Sequence, residues 1–317
     1  MQPASPSRLL STAALASIAL VILLLPGEAQ AWGPLAHLDF SAQALASASL
    51  ARSSMRLLLQ DFASEFLYGS LAADIVVGKN LARHVYHCHN WRVGFNVYRK
   101  ARGAAEQAFA LGFLAHLAAD TVAHNYFVPW KTLASFRKRG ATHAYWELRY
   151  EQRMDPGLVR LARNVCQPDF RWHDRFLRRN LVGASVIPFG VSRQLFGTLL
   201  ASARNRGFQR LSRLALARER NLPLEADLVA ETRRLSVAAV VGLLEEGERC
   251  PAAHADATGA RNIRAALDLR RALQARVRAG SLRLAEASAL VEEARDAFRR
   301  GIHGKLVLPA SVARLAA

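Results

Sequence analysis

The chain has 317 residues, of which 51% are hydrophobic and 21% are charged, and this composition excludes an intrinsically disordered or collagen-like protein. Its 43 basic residues exceed its 25 acidic ones and give a formal net charge of +18. Arginine supplies 38 of the basic residues, and its planar guanidinium binds phosphate through two parallel hydrogen bonds. The charge predicts attraction to anionic partners such as phospholipid surfaces or nucleic acid, although a GC-rich genome would produce the same excess of arginine.

The first 31 residues have the pattern of a secretory signal peptide. A single positive charge at Arg8 precedes an apolar, uncharged run over 9–25, and residues 29–31 read Ala-Gln-Ala, the small-x-small pattern that signal peptidase cleaves. We expect cleavage after residue 31 and a mature protein in the periplasm or outside the cell, with Trp32 at its amino terminus. An uncleaved membrane anchor is the less favoured alternative.

The rest of the chain is predicted to be all-α. Apolar residues recur at helical spacing over 41–66 and, more strongly, over 103–125. Further amphipathic stretches follow Pro168, at 204–220, 225–244, 262–279 and 282–299. No segment alternates with a period of two for long, and neither a GxGxxG nor a P-loop pattern is present, which argues against a β-sheet.

The apolar segment 181–201 is a candidate for peripheral membrane contact. Pro188 and Arg193 interrupt it, which argues against a membrane span. Its arginine-rich surroundings would allow it to lie on an anionic bilayer, although packing within the helical fold explains its apolar character better.

The cysteines do not form a disulfide scaffold. There are three, Cys88, Cys166 and Cys250, and an odd number leaves at least one without a partner. In an oxidising compartment Cys166 and Cys250 could form a bridge. No CxxC or CxxCH motif is present, so neither a zinc ribbon nor an attached haem is supported.

Histidine is concentrated in the first half of the mature chain. Seven of the ten histidines lie before residue 150, and neutral imidazole is the commonest transition-metal ligand in proteins. These seven are His37, His84, His87, His89, His116, His124 and His143.

The 103–125 helix carries His116, Asp120 and His124 at positions i, i+4 and i+8. At about 100° per residue they fan across roughly 80° of one face and can point into one cleft. Their neighbours are mostly Ala, Leu and Val, and a buried carboxylate needs a cation or several donors. A second pair, His143 and Glu147, has the same spacing.

Each pair alone is more often a hydrogen-bonded couple than a metal site. Together with His37 and with Asp74, which we predict to lie in a turn after a helix, they favour a metal centre. No comparable set follows residue 150, where His173, His254 and His303 are isolated.

These motifs resemble the zinc-dependent phospholipase C family, whose helical fold is shared with fungal single-strand-specific nucleases. The resemblance spans about residues 32–150 and rests on an ordered set of motifs. They are Trp32-Gly-Pro-Leu-Ala-His37, Gly69-Ser-Leu-Ala-Ala-Asp74, His89-Asn-Trp91, His116-x-x-x-Asp120-x-x-x-His124 and His143-x-x-x-Glu147. It implies one helical-bundle domain over 32–317, in which a metal-ligand half (about 32–150) is completed by helices of a second part (about 151–317).

The resemblance also implies up to three zinc ions. The first would be bound by Asp74, His89, His116 and Asp120. The second would be bound by the free amine and carbonyl of Trp32, by His37 and by a bridging oxygen of Asp120. The third would be bound by His124, His143 and Glu147. A metal-bound hydroxide would attack phosphorus, and Asp74 would additionally orient or deprotonate that water as a catalytic residue.

Three departures leave the substrate class open. The short Trp32–His37 spacing is similar to that of the nucleases, whereas Glu147 matches the phospholipases. The four-residue step from Asp120 to His124 is shorter than in both. His87 is an alternative to His89, which is preferred because its distance from Asp74 along the chain fits the family better.

We therefore expect a phospholipase C that acts on phospholipid head groups, with no obligate protein partner. The alternatives are a single-strand nuclease and a non-catalytic membrane-surface protein with structural metals. A nuclease needs aromatic platforms for bases, and the aromatic residues near the ligands could serve, although core packing explains them equally well. These are Tyr126, Phe127, Trp130, Tyr145 and Trp146.

Overall fold

The computed structural model describes residues 32–47, 53–75, 89–138, 143–166, 171–180 and 222–316. Every regular element in these ranges is a helix, so the prediction of an all-α fold is confirmed for the described part of the chain. The predicted signal peptide, the segment 181–201 and the stretch 204–220 lie outside it, as do His84, His87 and Cys88.

The first half of the described chain consists of helices that follow one another in this order. They are α1 (Pro34–Ala46), α2 (Ser53–Asp61), α3 (Ala63–Ile75), α4 (Trp91–Arg99), α5 (Ala104–Val122), a π-helical turn (Ala123–Phe127), α6 (Val128–Ala134), α7 (His143–Glu151), α8 (Leu158–Val165) and α9 (Arg171–Asn180).

The second half adds α10 (Ala226–Glu246), two short 3₁₀ helices (Gly247–Arg249 and Pro251–His254), α11 (Ala260–Arg278), α12 (Leu284–Arg300) and α13 (Ala310–Ala316). The predicted stretches at 225–244, 262–279 and 282–299 match α10, α11 and α12 to within two residues at each end.

Helix α5 forms the centre of the fold. All its residues from Ala108 to Val122 are buried, because an apolar surface that surrounds a helix must be covered on every side. α3 packs against it most extensively, and α10, α4 and α1 cover other faces. The polar His116 and Asp120 are therefore carried into the core by the most apolar helix of the bundle.

The described parts of the stretch 41–66 belong to α1, α2 and α3, as their helical spacing predicts. One prediction about this region was wrong in detail. Asp74 lies in the last turn of α3 and not in a turn beyond it. The apolar sequence from Phe66 to Ala73 continues the buried helix up to this point.

The predicted 103–125 helix continues beyond its expected end as a π-helical turn followed by α6. Pro129 has no amide hydrogen to donate to the carbonyl of Asn125. That carbonyl instead accepts a hydrogen bond from the side chain of Asn262, at 3.1 Å. The π turn contains His124, and such turns occur frequently at functional sites.

Two further expectations can be compared with the described residues. Cys250 is a buried free thiol, so the bridge considered between it and Cys166 is absent. None of the helices in the described ranges combines the length and apolarity that a bilayer crossing requires.

Candidate metal centre

His37 of α1 and His116 and Asp120 of α5 form the first group of potential ligands. Their ligand atoms all lie within 4.8 Å of one another. Nε2 of His37 is 3.2 Å from Oδ1 of Asp120, and Nε2 of His116 is 3.3 Å from Oδ2. The two imidazole rings stack with their centroids 3.6 Å apart. Each oxygen of Asp120 thus faces a different histidine.

A second group shares His116 with the first. It adds His89, just before α4, and Asp74, at the end of α3. Nε2 of His89 lies 3.0 Å from Nε2 of His116 and 3.2 Å from Oδ2 of Asp120. Oδ1 of Asp74 is 3.7 Å from the His89 nitrogen and 3.8 Å from the His116 nitrogen. We call these five residues the Asp120 cluster: His37, Asp74, His89, His116 and Asp120.

The third group, the Glu147 cluster, consists of His124, His143 and Glu147. His143 and Glu147 lie one turn apart on α7, with Nε2 of His143 2.7 Å from Oε1 of Glu147. The ring of His124 is perpendicular to that of His143, with centroids 5.1 Å apart. The helix α5 and its π-helical continuation therefore supply ligands to both clusters.

Backbone carbonyls fix the protonation of two histidines. Nδ1 of His116 is 2.8 Å from the carbonyl oxygen of Ser70, and Nδ1 of His124 is 2.6 Å from that of Ala257. A carbonyl oxygen can only accept, so each Nδ1 carries a hydrogen, and in its neutral form each ring directs its Nε2 lone pair at the other ligands. Such an outer contact is typical of metal-binding histidines.

The burial of Asp120 requires a compensating charge. Neither of its oxygens, and neither ring nitrogen of His37, has a well-formed hydrogen bond within the described residues. Burial disfavours the charged carboxylate, but the neighbouring His116 and His37 outweigh it and hold the pKa of Asp120 well below its usual range. Burial, reinforced by His116, lowers the pKa of His37. An ionised carboxylate beside the weakly basic imidazole of His37 suits a divalent cation better than an added proton.

Trp32 is anchored next to the Asp120 cluster. Its indole Nε1 donates to the carbonyl oxygen of Ala119 at 3.0 Å, and its ring packs 4.1 Å from the ring of Tyr150. The side chain is completely buried. This fixes the start of α1 beside Asp120, while the role of the Trp32 amine and carbonyl as ligands stays a prediction.

The loop Ala255–Gly259, which precedes α11, is a supporting element that the sequence did not indicate. Besides accepting from His124 through Ala257, it accepts from Nε1 of Trp91 through Ala255, at 2.9 Å. Gly259 has a positive φ of 55°, and a Cβ atom there would lie 2.2 Å from the carbonyl oxygen of His124. Only glycine fits this position.

The structure brings all eight predicted side-chain ligands into these two clusters, whereas His87 lies outside the described residues. The structure groups His124 with His143 and Glu147, and it groups His116 and Asp120 with the other members of the Asp120 cluster. The catalytic role of Asp74 stays a prediction. The proposed aromatic platform residues are all at most 5% exposed, so core packing accounts for them.

Comparison with known proteins agrees with this geometry. Residues 36–183 match the model of a family described as zinc dependent phospholipase C. The match includes every predicted side-chain ligand. No curated protein and no solved structure matches the chain.

Proposed function

Over residues 36–183 the chain belongs to the zinc-dependent phospholipase C family, and from this premise we propose that it is an exported phospholipase C that hydrolyses the phosphodiester of phospholipid head groups. The coarser assignment, a metal-dependent hydrolase, rests on the family match and on the three groups of potential ligands. The observation that best supports the proposal is the convergence of side chains from α1, α3, α5 and the residue just before α4 around the buried carboxylate of Asp120.

The donor set fits zinc. Imidazole nitrogens and carboxylate oxygens are its usual ligands besides cysteine. His37 and one oxygen of Asp120 would bind one ion, and His89, His116, Asp74 and the other oxygen would bind a second. The Glu147 cluster would bind a third. When bound, such ions lower the pKa of water and stabilise negative charge on a phosphodiester.

The residues of the chain have separate tasks in this proposal. Asp120 would offer one oxygen to each of two ions and would offset the repulsion between their positive charges. The Ser70 and Ala257 carbonyls hold His116 and His124 in the tautomer that can bind a metal. Asp74 is 7% exposed and its carboxylate faces the His89 and His116 nitrogens, which supports a role in orienting a water and accepting its proton.

Export is part of the proposal because the amine of Trp32 can bind zinc only when it is the free amino terminus of the processed chain. Only removal of residues 1–31 creates that amine, and the small-x-small pattern at residues 29–31 provides the cleavage site. The processed protein would then act in the periplasm or outside the cell.

The nuclease alternative has weaker support. It is favoured by the short Trp32–His37 spacing and by the net charge of +18. Stacking of single-stranded bases needs exposed aromatic faces near the metals. Trp130 and Tyr145 are only 4% and 5% exposed, which favours the lipid substrate.

The test offers the purified, zinc-loaded protein two substrates, phosphatidylcholine vesicles and single-stranded DNA. Each assay is repeated with a chelator and again after zinc is restored. Zinc-dependent release of diacylglycerol would support the proposal, and release of acid-soluble nucleotides would support the nuclease. Inactivity on both substrates, by a protein with full metal content, would favour a non-catalytic protein with structural metals.

A further inference from the structure

Glu151 lies one turn beyond Glu147, at the end of α7. His143, Glu147 and Glu151 are spaced at i, i+4 and i+8, so they lie along one stripe of the helix. The first two belong to the Glu147 cluster. Glu151 instead reaches the beginning of α1, the helix that carries His37.

The carboxylate of Glu151 caps α1. The cap position of this helix is Gly33, which has no side chain, and its first residue, Pro34, has no amide hydrogen. The next two amides donate to Glu151, that of Leu35 to Oε1 at 2.8 Å and that of Ala36 to Oε2 at 3.2 Å. An acidic group at this end of a helix is also stabilised by the helix dipole.

The carboxylate of Glu151 occupies the space that a side chain at position 33 would need. Gly33 has φ −66° and ψ 162°, an extended conformation that any residue adopts, so its backbone does not require glycine. A Cβ atom at this position, however, would lie 2.3 Å from Oε2 of Glu151 and 2.4 Å from its Cδ. The glycine is needed so that the carboxylate can reach the amides.

The pKa of Glu151 reflects the burial of this contact. Burial raises the pKa of Glu151 to about 7, although the two amide donors oppose the rise. The adjacent Tyr150 packs on the ring of Trp32. The end of α7 therefore holds the segment from Trp32 to His37 through one aromatic contact and one carboxylate.

We infer that Glu151 is a positioning residue that sets the start of α1 so that His37 faces Asp120, and that it thereby links the Glu147 cluster to the Asp120 cluster. The inference rests on the proposed function for its metals, but its geometry is independent of the substrate. Loss of Glu151 would leave the Leu35 amide without its acceptor and the Ala36 amide with only the carbonyl oxygen of Gly33, at 3.0 Å, and would release the segment that leads to His37. The part of the Asp120 cluster that contains His37 would then bind its ion more weakly, while metal binding by the Glu147 cluster would be unaffected.

The experiment compares Glu151→Ala and Glu151→Gln with Glu286→Ala. Glu286 is a matched control because it also accepts from a backbone amide at a helix start, that of Arg283 at 3.0 Å, on the surface. Zinc content and affinity are measured by competition with a chromophoric chelator, and amide exchange is followed in the peptide that contains Leu35 and Ala36.

We expect Glu151→Ala to bind one zinc about 10- to 100-fold more weakly, as is usual when an outer contact of a ligand is lost, and to exchange the Leu35 amide faster. Glu151→Gln retains one acceptor oxygen and should lie between this variant and the wild type. Glu286→Ala should change neither property. Unchanged zinc affinity in both Glu151 variants, or equal weakening of every site, would overturn the inference.

A double substitution guards against the case in which Glu151→Ala merely unfolds the protein. Gly33→Ala should also lower the affinity for one zinc ion, because the added methyl group displaces the carboxylate of Glu151. Adding Glu151→Ala removes the clash, so the pair should cost less than the sum of the single changes; additive losses would contradict the inference. If the wild type binds zinc but hydrolyses no lipid, the proposed function fails while these zinc measurements still decide the role of Glu151.

Discussion

Helices α3 and α5 approach so closely that their backbones touch at two glycines. A Cβ atom at Gly112 would lie 1.9 Å from the carbonyl oxygen of Phe66, and one at Gly69 would lie 2.0 Å from that of Phe109. Both obstacles are backbone atoms that cannot rotate away. We predict that Gly112→Ala forces the two helices apart, by up to about 1.5 Å if ordinary van der Waals contact is restored.

This displacement would be felt at the Asp120 cluster, because α3 carries Asp74 and α5 carries His116. Their ligand atoms are 3.8 Å apart. Two ligands of one zinc, each bound at about 2.0–2.2 Å, can be at most about 4.3 Å apart. A separation of roughly 5 Å could no longer be bridged by one ion. We expect a stability loss of about 1–3 kcal/mol, typical of overpacking, and weaker zinc binding by the Asp74 side of the cluster.

The assay combines thermal unfolding of the metal-free protein with zinc titration of the folded protein. Gly242→Ala in α10 is the matched control, since a Cβ atom there meets nothing within 4 Å, and alanine inside a helix should stabilise it by about 0.5–1 kcal/mol. If Gly112→Ala bound zinc with wild-type affinity and stoichiometry, the close helix approach would not be what positions Asp74.

Three further outcomes follow from the site and its surroundings. Asp120→Asn should abolish hydrolysis and weaken metal binding by more than about 100-fold while circular dichroism shows unchanged helix content; the exposed Asp268→Asn serves as control, and normal metal content would refute the bridging role. Residues added ahead of Trp32 should reduce the zinc content by one ion per chain, which elemental analysis would detect, and full stoichiometry would exclude the terminal amine as a ligand. Burial lowers the pKa of His173 to about 3, whereas in the unfolded chain this side chain has the ordinary histidine pKa of about 6.5. Between these two pH values the unfolded chain therefore binds more protons than the folded protein. The free energy of unfolding should therefore decrease as the pH is lowered below about 6, by up to about 1.4 kcal/mol per pH unit. Urea denaturation at several pH values should show a weaker dependence of this free energy on pH for His173→Phe, and an equal dependence would contradict the assignment.

Local periodicity explains why α10, α11 and α12 could be predicted from the sequence. Each has an apolar stripe at helical spacing, and the ends were placed to within two residues. The same reasoning failed at Asp74, which was assigned to a turn although α3 continues to Ile75. The polar side chain resembled a helix end, but its polarity reflects the cluster it joins and not exposure to solvent.

The residues of the two clusters could be picked out from the sequence, but their spacing along the chain did not divide them between the clusters, and only the family resemblance implied that division. Spacing of four residues gives the direction in which His116, Asp120 and His124 point from their own helix, but not which helix stands opposite each of them. Asp120 meets α1 and His124 meets α7, and this depends on long-range packing. The supporting carbonyls of Ser70 and Ala257 were also missed, because a backbone carbonyl leaves no mark in the sequence.

The candidate metal centre depends on parts of the chain that the family match does not include. The match ends at residue 183, whereas the carbonyl that orients His124 belongs to Ala257. Gly259 lies in the same loop and leaves no space for a side chain against His124. The second half of the molecule therefore does more than complete the bundle. It fixes the orientation of His124 on the central helical segment, and through Trp91 the same loop also reaches the segment that carries His89, so a single loop outside the matched region contacts the Glu147 cluster and supports the segment next to the Asp120 cluster.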